Sequence, residues 1–433
     1  MVPDDEYLKG LGDQRKTERV RKFFLTALTV LIVTYQVCLA QELAWHGFIQ
    51  ANYSLRTTGL SPGTDKSDFL WADHRFQLKL SASEGAARAF AKVDLFQNAL
   101  KREDDLEIRE AFLDYSAGKL DIRAGRQIIT WGLGDLLFIN DLFPKDWQAF
   151  FSGRPVEYLK IGVDGLKMTL YTSIFSLELA VLPFFEPDNL PSAEESFLFD
   201  PLADAGYRLE NRPDFEFENM EQAWRLFQNI SGFELALYAY RGFYRSPSAK
   251  LASFPPDTVI YYYPKLSVLG SSLQKNIYNG ILSLEYGYYD SRQDRSGENP
   301  LMPNSFHKFL VGYQRQGWED FSYSFQFYGE YMTAFSEYEK SLPSGFPKGD
   351  HFRQLLTARA TQLLKYQTWK LSLFSFFSPS DNDYYLIPEV QYKFSDRLWL
   401  AVGGNLFGGE KKTTFFGQFD KNDNLYSILR YDF

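Results

Sequence analysis

The last nine residues, Leu425 to Phe433, put Leu425, Leu429, Tyr431 and Phe433 on one face of an extended strand and Tyr426, Arg430 and Asp432 on the other. Side chains alternate between the two faces of a strand, so this segment has one apolar and one polar side. The same period recurs along the chain after residue 40. In 69–81, Asp73, Arg75, Gln77 and Lys79 oppose Phe76, Leu78 and Leu80. In 87–96, Arg88, Lys92 and Asp94 oppose Ala89, Ala91, Val93 and Leu95. In 321–331, Ser322, Ser324, Gln326 and Glu330 oppose Phe321, Tyr323, Phe325, Phe327 and Tyr331. A closed sheet with lipid outside and water inside demands this pattern.

Alternation alone does not say which face meets water, and a soluble propeller or sandwich shows it too. Composition and the N-terminal segment decide. The 433 residues include 28 Tyr and 40 Phe, yet only 45% are hydrophobic, and the mean hydropathy is −0.31. Many aromatics at low hydropathy fit a barrel with aromatic girdles at both interfaces. A helical membrane protein would need repeated runs of about 20 apolar residues. The one long apolar run, Phe23 to Val33, follows Arg15, Lys16, Arg19, Arg21 and Lys22 and precedes Val37-Cys38-Leu39-Ala40. This reads as a signal peptide over 1–40 with cleavage after Ala40, leaving 41–433 as one outer-membrane barrel. Cys38 is the single cysteine, so the mature chain has no disulfide or cysteine-based metal site. The net charge of −9 gives no footprint for nucleic acid.

The expected fold is all-β: a transmembrane antiparallel β-barrel of eighteen strands. They fall at about 45–57, 69–81, 86–97, 106–117, 119–131, 162–172, 176–184, 222–230, 233–244, 259–273, 277–290, 306–316, 321–334, 352–365, 368–377, 384–394, 398–407 and 425–433. Sixteen remain if the weakly patterned 222–230 and its partner form a loop excursion. Short connections alternate with long ones such as 132–161, 185–221, 291–305, 335–351 and 408–424, the expected asymmetry between periplasmic turns and extracellular loops. With eighteen strands both termini fall on the short-turn side.

The polar face then lines the lumen. On the second to fifth strands it carries Arg75, Lys79, Arg88, Lys92, Lys119 and Arg123, interleaved with Asp73, Asp94, Glu107, Glu110, Asp114 and Asp121. A basic wall favours anionic solutes; the plainer reading is that neighbouring opposite charges brace the wall. Strict alternation puts Gln127 inward and Arg126 outward. A bare Arg facing lipid costs roughly 2–4 kcal/mol at the midplane, which a bulge at Gly125 or a position near the interface would relieve. We count Arg126 and Gln127 with the solute pathway. The following loop mixes Leu136, Leu137, Phe138, Ile139, Leu142 and Phe143 with carboxylates. It is too apolar for an exposed loop, so it folds inward as a constriction loop, with Asp135, Asn140, Asp141 and Asp146 at or near the narrowing. The alternative is an extracellular cap packed on itself.

The stretch from Arg88 to Trp147 resembles porin-like outer-membrane proteins related to the alginate-export family. The matching residues are Gly125-Arg126-Gln127, Trp131-Gly132, Asp135, Asn140-Asp141 and Pro144-Lys145-Asp146. The resemblance is strong over some 60 residues and elsewhere extends only to the strand pattern. It implies an eighteen-stranded passive channel, and in that family an arginine-rich lumen passes an anionic polysaccharide. Here the lumenal charges balance.

The expected function is passive diffusion of small polar solutes, with anionic or saccharide solutes favoured, through the outer membrane of a Gram-negative-type bacterium. The expected partners are outer-membrane lipid, the solute, and the barrel-assembly machinery through the C-terminal strand ending at Phe433. No cofactor, metal or catalytic residue is assigned. Two other readings stand beside it: a hydrophobic-solute transporter or plugged structural barrel, and an outer-membrane hydrolase. The hydrolase would need a His beside a nucleophile. By strand phase His74 and His307 face lipid, His46 begins the first strand and His351 sits in a loop.

Overall fold

In the computed structural model the two ends of the ladder meet. Phe48 to Arg56 pair antiparallel with Asp432 to Asn424, closing a sheet of eighteen antiparallel strands among the described residues. Closure leaves no strand edge, which a lipid environment requires because nothing there hydrogen-bonds a bare backbone. The structure describes residues 42–58, 68–100, 103–193, 195–200, 202, 207–251 and 258–433. The expected leader 1–40, with Cys38 and its cleavage point, lies outside them.

The strands are β1 (Glu42–Arg56), β2 (Phe69–Glu84), β3 (Ala87–Asn98), β4 (Glu103–Ala117), β5 (Leu120–Gln127), β6 (Val163–Tyr171), β7 (Ser176–Leu182), β8 (Tyr207–Asn211), β9 (Glu221–Ile230), β10 (Phe233–Phe243), β11 (Ser248–Leu251), β12 (Thr258–Tyr262), β13 (Lys265–Ile277), β14 (Gly280–Ser291), β15 (Phe306–Gln316), β16 (Phe321–Met332), β17 (Phe352–Leu364), β18 (Trp369–Ser378), β19 (Asp383–Lys393), β20 (Leu398–Gly409) and β21 (Asn424–Asp432). Each barrel strand pairs with the next in sequence. β8, β11 and β12 stand apart as a small sheet in the long connections, with β8 parallel to β12.

All eighteen expected strands are present, the weak one at β9 included. Three boundaries are corrected: the strand expected at 119–131 ends at Gln127, the turn expected at 274–276 falls at Tyr278-Asn279, and a third strand is divided. The expected strand at 259–273 is two elements, β12 and β13, broken at Pro264, which has no N–H to give a ladder. At one end of the barrel every connection is four residues or fewer, and the long connections all lie at the other. Between β13 and β14 the two-residue turn Tyr278-Asn279 has both residues at positive φ (49° and 58°), the backbone hand that matches strand twist in a tight hairpin.

The outward face is apolar. Ile49, Leu237, Leu269 and Phe325 stand 55–63% exposed, a condition only lipid makes favourable over so large an area. Trp45 packs on the ring of Phe433, whose other neighbour is Phe76 (5.8 Å each). The chain's aromatic terminus is thus part of the girdle at the seam. The barrel wall is uneven in height: β1 and β2 have 15 and 16 residues, whereas β5, β6 and β7 have 8, 9 and 7.

The interior is not uniformly polar. The inward faces of β2–β5 carry the charges, but those of β10–β20 carry Tyr238, Tyr240, Val268, Leu310, Phe374 and Phe407, buried in a cluster with Ile129, Trp131, Leu137, Ile139, Phe150 and Phe151. These last residues come from the connection 128–162. That connection leaves the top of β5, folds into the barrel and carries one short helix, α1 (Trp147–Phe151).

Candidate functional site

The inward connection is held from many sides of the wall. At β14, Glu285 accepts backbone N–H bonds from Leu133 and from Gly134 (2.8 Å), and a side-chain bond from Asn140 (3.0 Å). Gly132 lies beside the same carboxylate at φ 82°, a conformation that favours glycine. At β7, Glu178 accepts from the Trp131 indole (2.5 Å). At β16, Gln326 makes two bonds to the Asp135 backbone, accepting from its N–H (2.7 Å) and donating to its carbonyl (2.9 Å). At β17, Arg359 clasps the Asp135 carboxylate with two bonds (2.6 and 2.7 Å). On the opposite wall, Asn52 of β1 donates to the Gly153 carbonyl (3.3 Å) and Arg430 of β21 pairs with Glu157 (2.6 Å). The segment therefore spans the lumen from wall to wall.

Its own charges are mostly internal. Asp141 bridges Lys145 and Lys160 (2.9 Å each). Asp146 caps α1 by accepting the Ala149 N–H (2.7 Å) and faces Arg154 at 3.5 Å. Burial pushes its carboxyl above the ordinary range, against the pull of Arg154 and the cap bonds. Asp188, from the connection after β7, accepts the Lys145 N–H (2.8 Å) and the Trp147 indole (3.0 Å). Its carboxyl is also raised by burial, against those same bonds and the Lys145 charge. Of the motif residues, Trp131, Asp135 and Asn140 fasten the segment to the wall, while Asp141, Lys145 and Asp146 brace it internally.

Each expected pathway residue has a definite place. Lys79 and Lys92 sit directly opposite each other on β2 and β3, both inward; Lys92 is 9% exposed, with Glu157 at 3.9 Å. Arg88 bonds Ser81 (3.0 Å) and is exposed. Arg123 is half-buried on Asp114 (2.6 Å) and stacks over Phe112. Four assignments are corrected. Arg75 is 2% exposed, locked between Asp73 (2.9 Å) and Asp94 (2.7 Å) and stacked on Phe96 and Tyr158, so it is wall structure. Gln127 is 1% exposed and is spent on the carbonyls of Gly125 and Gly165. Lys119 lies in the exposed turn before β5, outside the lumen.

Arg126 is outward. Its register partner Asp164 adjoins Val163, which points into the interior cluster, so Asp164 points away from it. Arg126 pairs with Asp164 at 2.9 Å and donates to the Ile108 carbonyl at 2.8 Å. A partner on the same face, rather than a bulge at Gly125, is what lets an arginine stand there. Of the constriction-loop residues, Asn140 and Asp141 are 0% and 5% exposed and Asp146 is an internal cap. None of these three is open to the lumen; of the four only Asp135 is, its side chain 37% exposed against Arg359 at 38%.

Two functional residues escaped the sequence pattern. Arg359 lies inward on β17. Arg109 is the extra residue of a β-bulge, since Lys92 pairs with Glu110 but Val93 with Ile108. It reaches the carbonyls of Glu157 (2.9 Å) and Lys160 (3.0 Å) from the inside. The histidines are dispersed. His74 and His307 are on the outward face, on the hydroxyls of Tyr53 (2.5 Å) and Tyr286 (2.7 Å), and His351 stacks on Phe335.

Lowering the pH exposes the loop's electrostatics. A carboxyl raised in the folded state binds protons more readily there than in the unfolded chain. Its share of stability therefore rises as pH falls through the raised value and levels off below the ordinary value of about 4. Asp188 should make the native loop tighter as pH falls from 7 toward 4. Asp188→Asn should flatten that dependence in limited proteolysis of the loop, and a variant with the unchanged slope would refute the assignment.

No protein-family model and no curated protein matches the sequence. Solved structures do match in fold. OccK3 of Pseudomonas aeruginosa superposes with a TM-score of 0.54 at 10% identity, over 93% of this chain and 99% of that one. OccK5 of the same organism gives 0.52 at 9% identity, over 91% and 98%. OccAB3 of Acinetobacter baumannii gives 0.51 at 9%, over 90% and 99%. The chain has the fold of outer-membrane porins.

Proposed function

We propose that this barrel is a passive diffusion channel for small polar solutes, and that solutes pass the half-exposed charges left uncovered by the inward segment. One observation carries the reading. Lys79, Arg88, Asp114, Arg123, Lys167, Arg359 and Asp135 all point into a closed barrel, yet none is fully buried. Ionised groups persist inside a protein only where water or tight partners compensate them, so water reaches this wall. Lys79 and Arg88 have no carboxylate within ion-pair distance among the described residues, whereas Asp114 and Asp135 are each matched by an arginine. Glu110 and Asp121, also inward and part-exposed, have no ion-pair partner among the described residues either, so the direction rests on Lys79 and Arg88 as a local basic patch on neighbouring strands, which favours anionic over cationic solutes. The resemblance to alginate-export proteins supports the same direction.

The expected result in planar bilayers is ohmic conductance with a modest anion preference in a salt gradient. Asp135→Asn leaves Arg359 unmatched and should strengthen that preference. Arg359→Gln should weaken or invert it. Equal reversal potentials in all three proteins would remove this pair from the pathway. A second reading is favoured by the anchors on opposite walls: the inward segment closes the lumen until it shifts. In that case the wild-type barrel is silent in the same bilayer and conducts only when an anchor is removed.

A further inference from the structure

We propose a phospholipid site on the outer wall over β9, β10, β13 and β14, with an acyl chain in an apolar groove and the phosphate on Lys275 and Arg315. The inference rests on the barrel's orientation in the membrane and not on the channel reading.

The register sets Leu226, Leu237, Ser271 and Tyr286 in one outward row across four strands. Three are large and one is small. The short Ser271 side chain leaves a groove of about 610 Å³ on the lipid face, lined by Leu226, Leu235, Leu237, Ser271, Leu273 and Tyr286. At its lower end the groove reaches Ile174 and Phe175 in the turn between β6 and β7, on the short-turn, periplasmic side.

The next outward residue on β13 below Leu273 is Lys275, about 6.6 Å along the strand. Its ammonium sits 3.3 Å over the Phe233 ring, its register partner on β10. Arg315 is outward on β15, in line with the exposed Val311, and pairs with Gly280 at the foot of β14. Both cations stand within three residues of a periplasmic turn, and neither has a carboxylate partner among the described residues. The wall therefore presents two unmatched cations at the interface and a dry trough directly above them. That is the order of polarity of a phospholipid lying in the periplasmic leaflet: anionic phosphate outermost, hydrocarbon toward the bilayer centre. The trough explains where a chain lies, and the cations explain why a phosphate-bearing lipid stays when a neutral detergent does not.

The test uses the full barrel extracted in mild detergent, with native mass spectrometry reading retained lipid. Wild type should keep one phospholipid. After delipidation, mixed micelles of phosphatidylglycerol should restore it and raise the unfolding temperature, while inorganic phosphate alone should not. The double variant Lys275→Gln/Arg315→Gln should bind roughly thirtyfold more weakly, as expected for removing two interfacial cations. Ser271→Leu fills the trough and should lose retention with both cations intact. Heat-dependent gel mobility checks that each variant is a folded barrel. Wild type that retains no phospholipid overturns the proposal. So does undiminished retention in both variants, a thermal shift with phosphate alone, or a change of oligomeric mass in Ser271→Leu, which would seat a second copy of the chain in the trough.

Discussion

Replacing Glu285 with alanine should release the inward segment and raise single-channel conductance several-fold, with large current fluctuations. Glu285 receives the N–H groups of Leu133 and Gly134 and the amide of Asn140, and it is 4% exposed. Without it the Leu133 and Gly134 N–H groups lose their acceptor, while the Asn140 amide keeps only the long bonds to the Ser271 and Tyr286 carbonyls (3.4 and 3.3 Å). Each orphaned donor costs roughly 1–3 kcal/mol, which is large against the marginal stability of a single loop. The nearest of the loop's remaining anchors, Trp131 on Glu178 and Asp135 on Arg359 and Gln326, lie to either side, so the segment should swing as a flap rather than leave the barrel. Glu285→Gln keeps an acceptor oxygen and should show a smaller change. Unaltered conductance and unaltered protease access to 130–145 in Glu285→Ala would mean the anchor holds nothing.

Arg75→Met should be the most destabilising single change in the wall. Arg75 neutralises Asp73 and Asp94 with side chains at 0–1% exposure, and Asp94 also takes the Gln77 amide at 2.7 Å. Removing one partner of a buried ionic cluster costs about 3–5 kcal/mol, because the remaining charges stay buried without compensation. The measurement is the temperature at which the barrel loses its compact gel mobility. The triple variant Arg75→Met, Asp73→Asn, Asp94→Asn removes the uncompensated charges together and should recover much of the loss. If the single and triple variants melt alike, the cost lies in lost packing on Tyr158 and Phe96 and not in electrostatics.

The strand count was legible because lipid imposes period two on every strand it touches, and closure makes the alternation of short and long connections consistent from end to end. Boundaries were less legible. The run at 259–273 is rich in β-forming residues on both sides of Pro264, and only the missing proline N–H separates β12 from β13. β8 and β11 left no trace and β12 was joined to β13, since strands of four or five residues span only about two side-chain repeats. The site was legible as a segment and not as residues. An apolar loop with interspersed carboxylates had to go inside, but its sequence does not tell which carboxylates it would satisfy itself. Asp141 and Asp146 turned to their own lysines and helix, leaving Asp135 alone at the lumen. The wall was misread for the same reason. Arg75 and Lys79 share a face and a pattern, and only the covering Tyr158 distinguishes a buried brace from a side chain that meets water. Arg109 was hidden by a bulge that shifts phase by one residue.

The low wall at β5–β7 bears on the membrane itself. Val163 to Tyr171 reach only about 20 Å along the normal at the usual strand rise and tilt, against an apolar band of about 25 Å elsewhere on such barrels. Arg126 and Asp164 crown that stretch. Lipid beside it must shorten, at a fraction of a kcal/mol per Å of mismatch, drawing head groups down toward the ion pair. The protein thus carries a permanent dimple in the bilayer on one flank, and neighbouring molecules in a crowded outer leaflet would meet it from a preferred side.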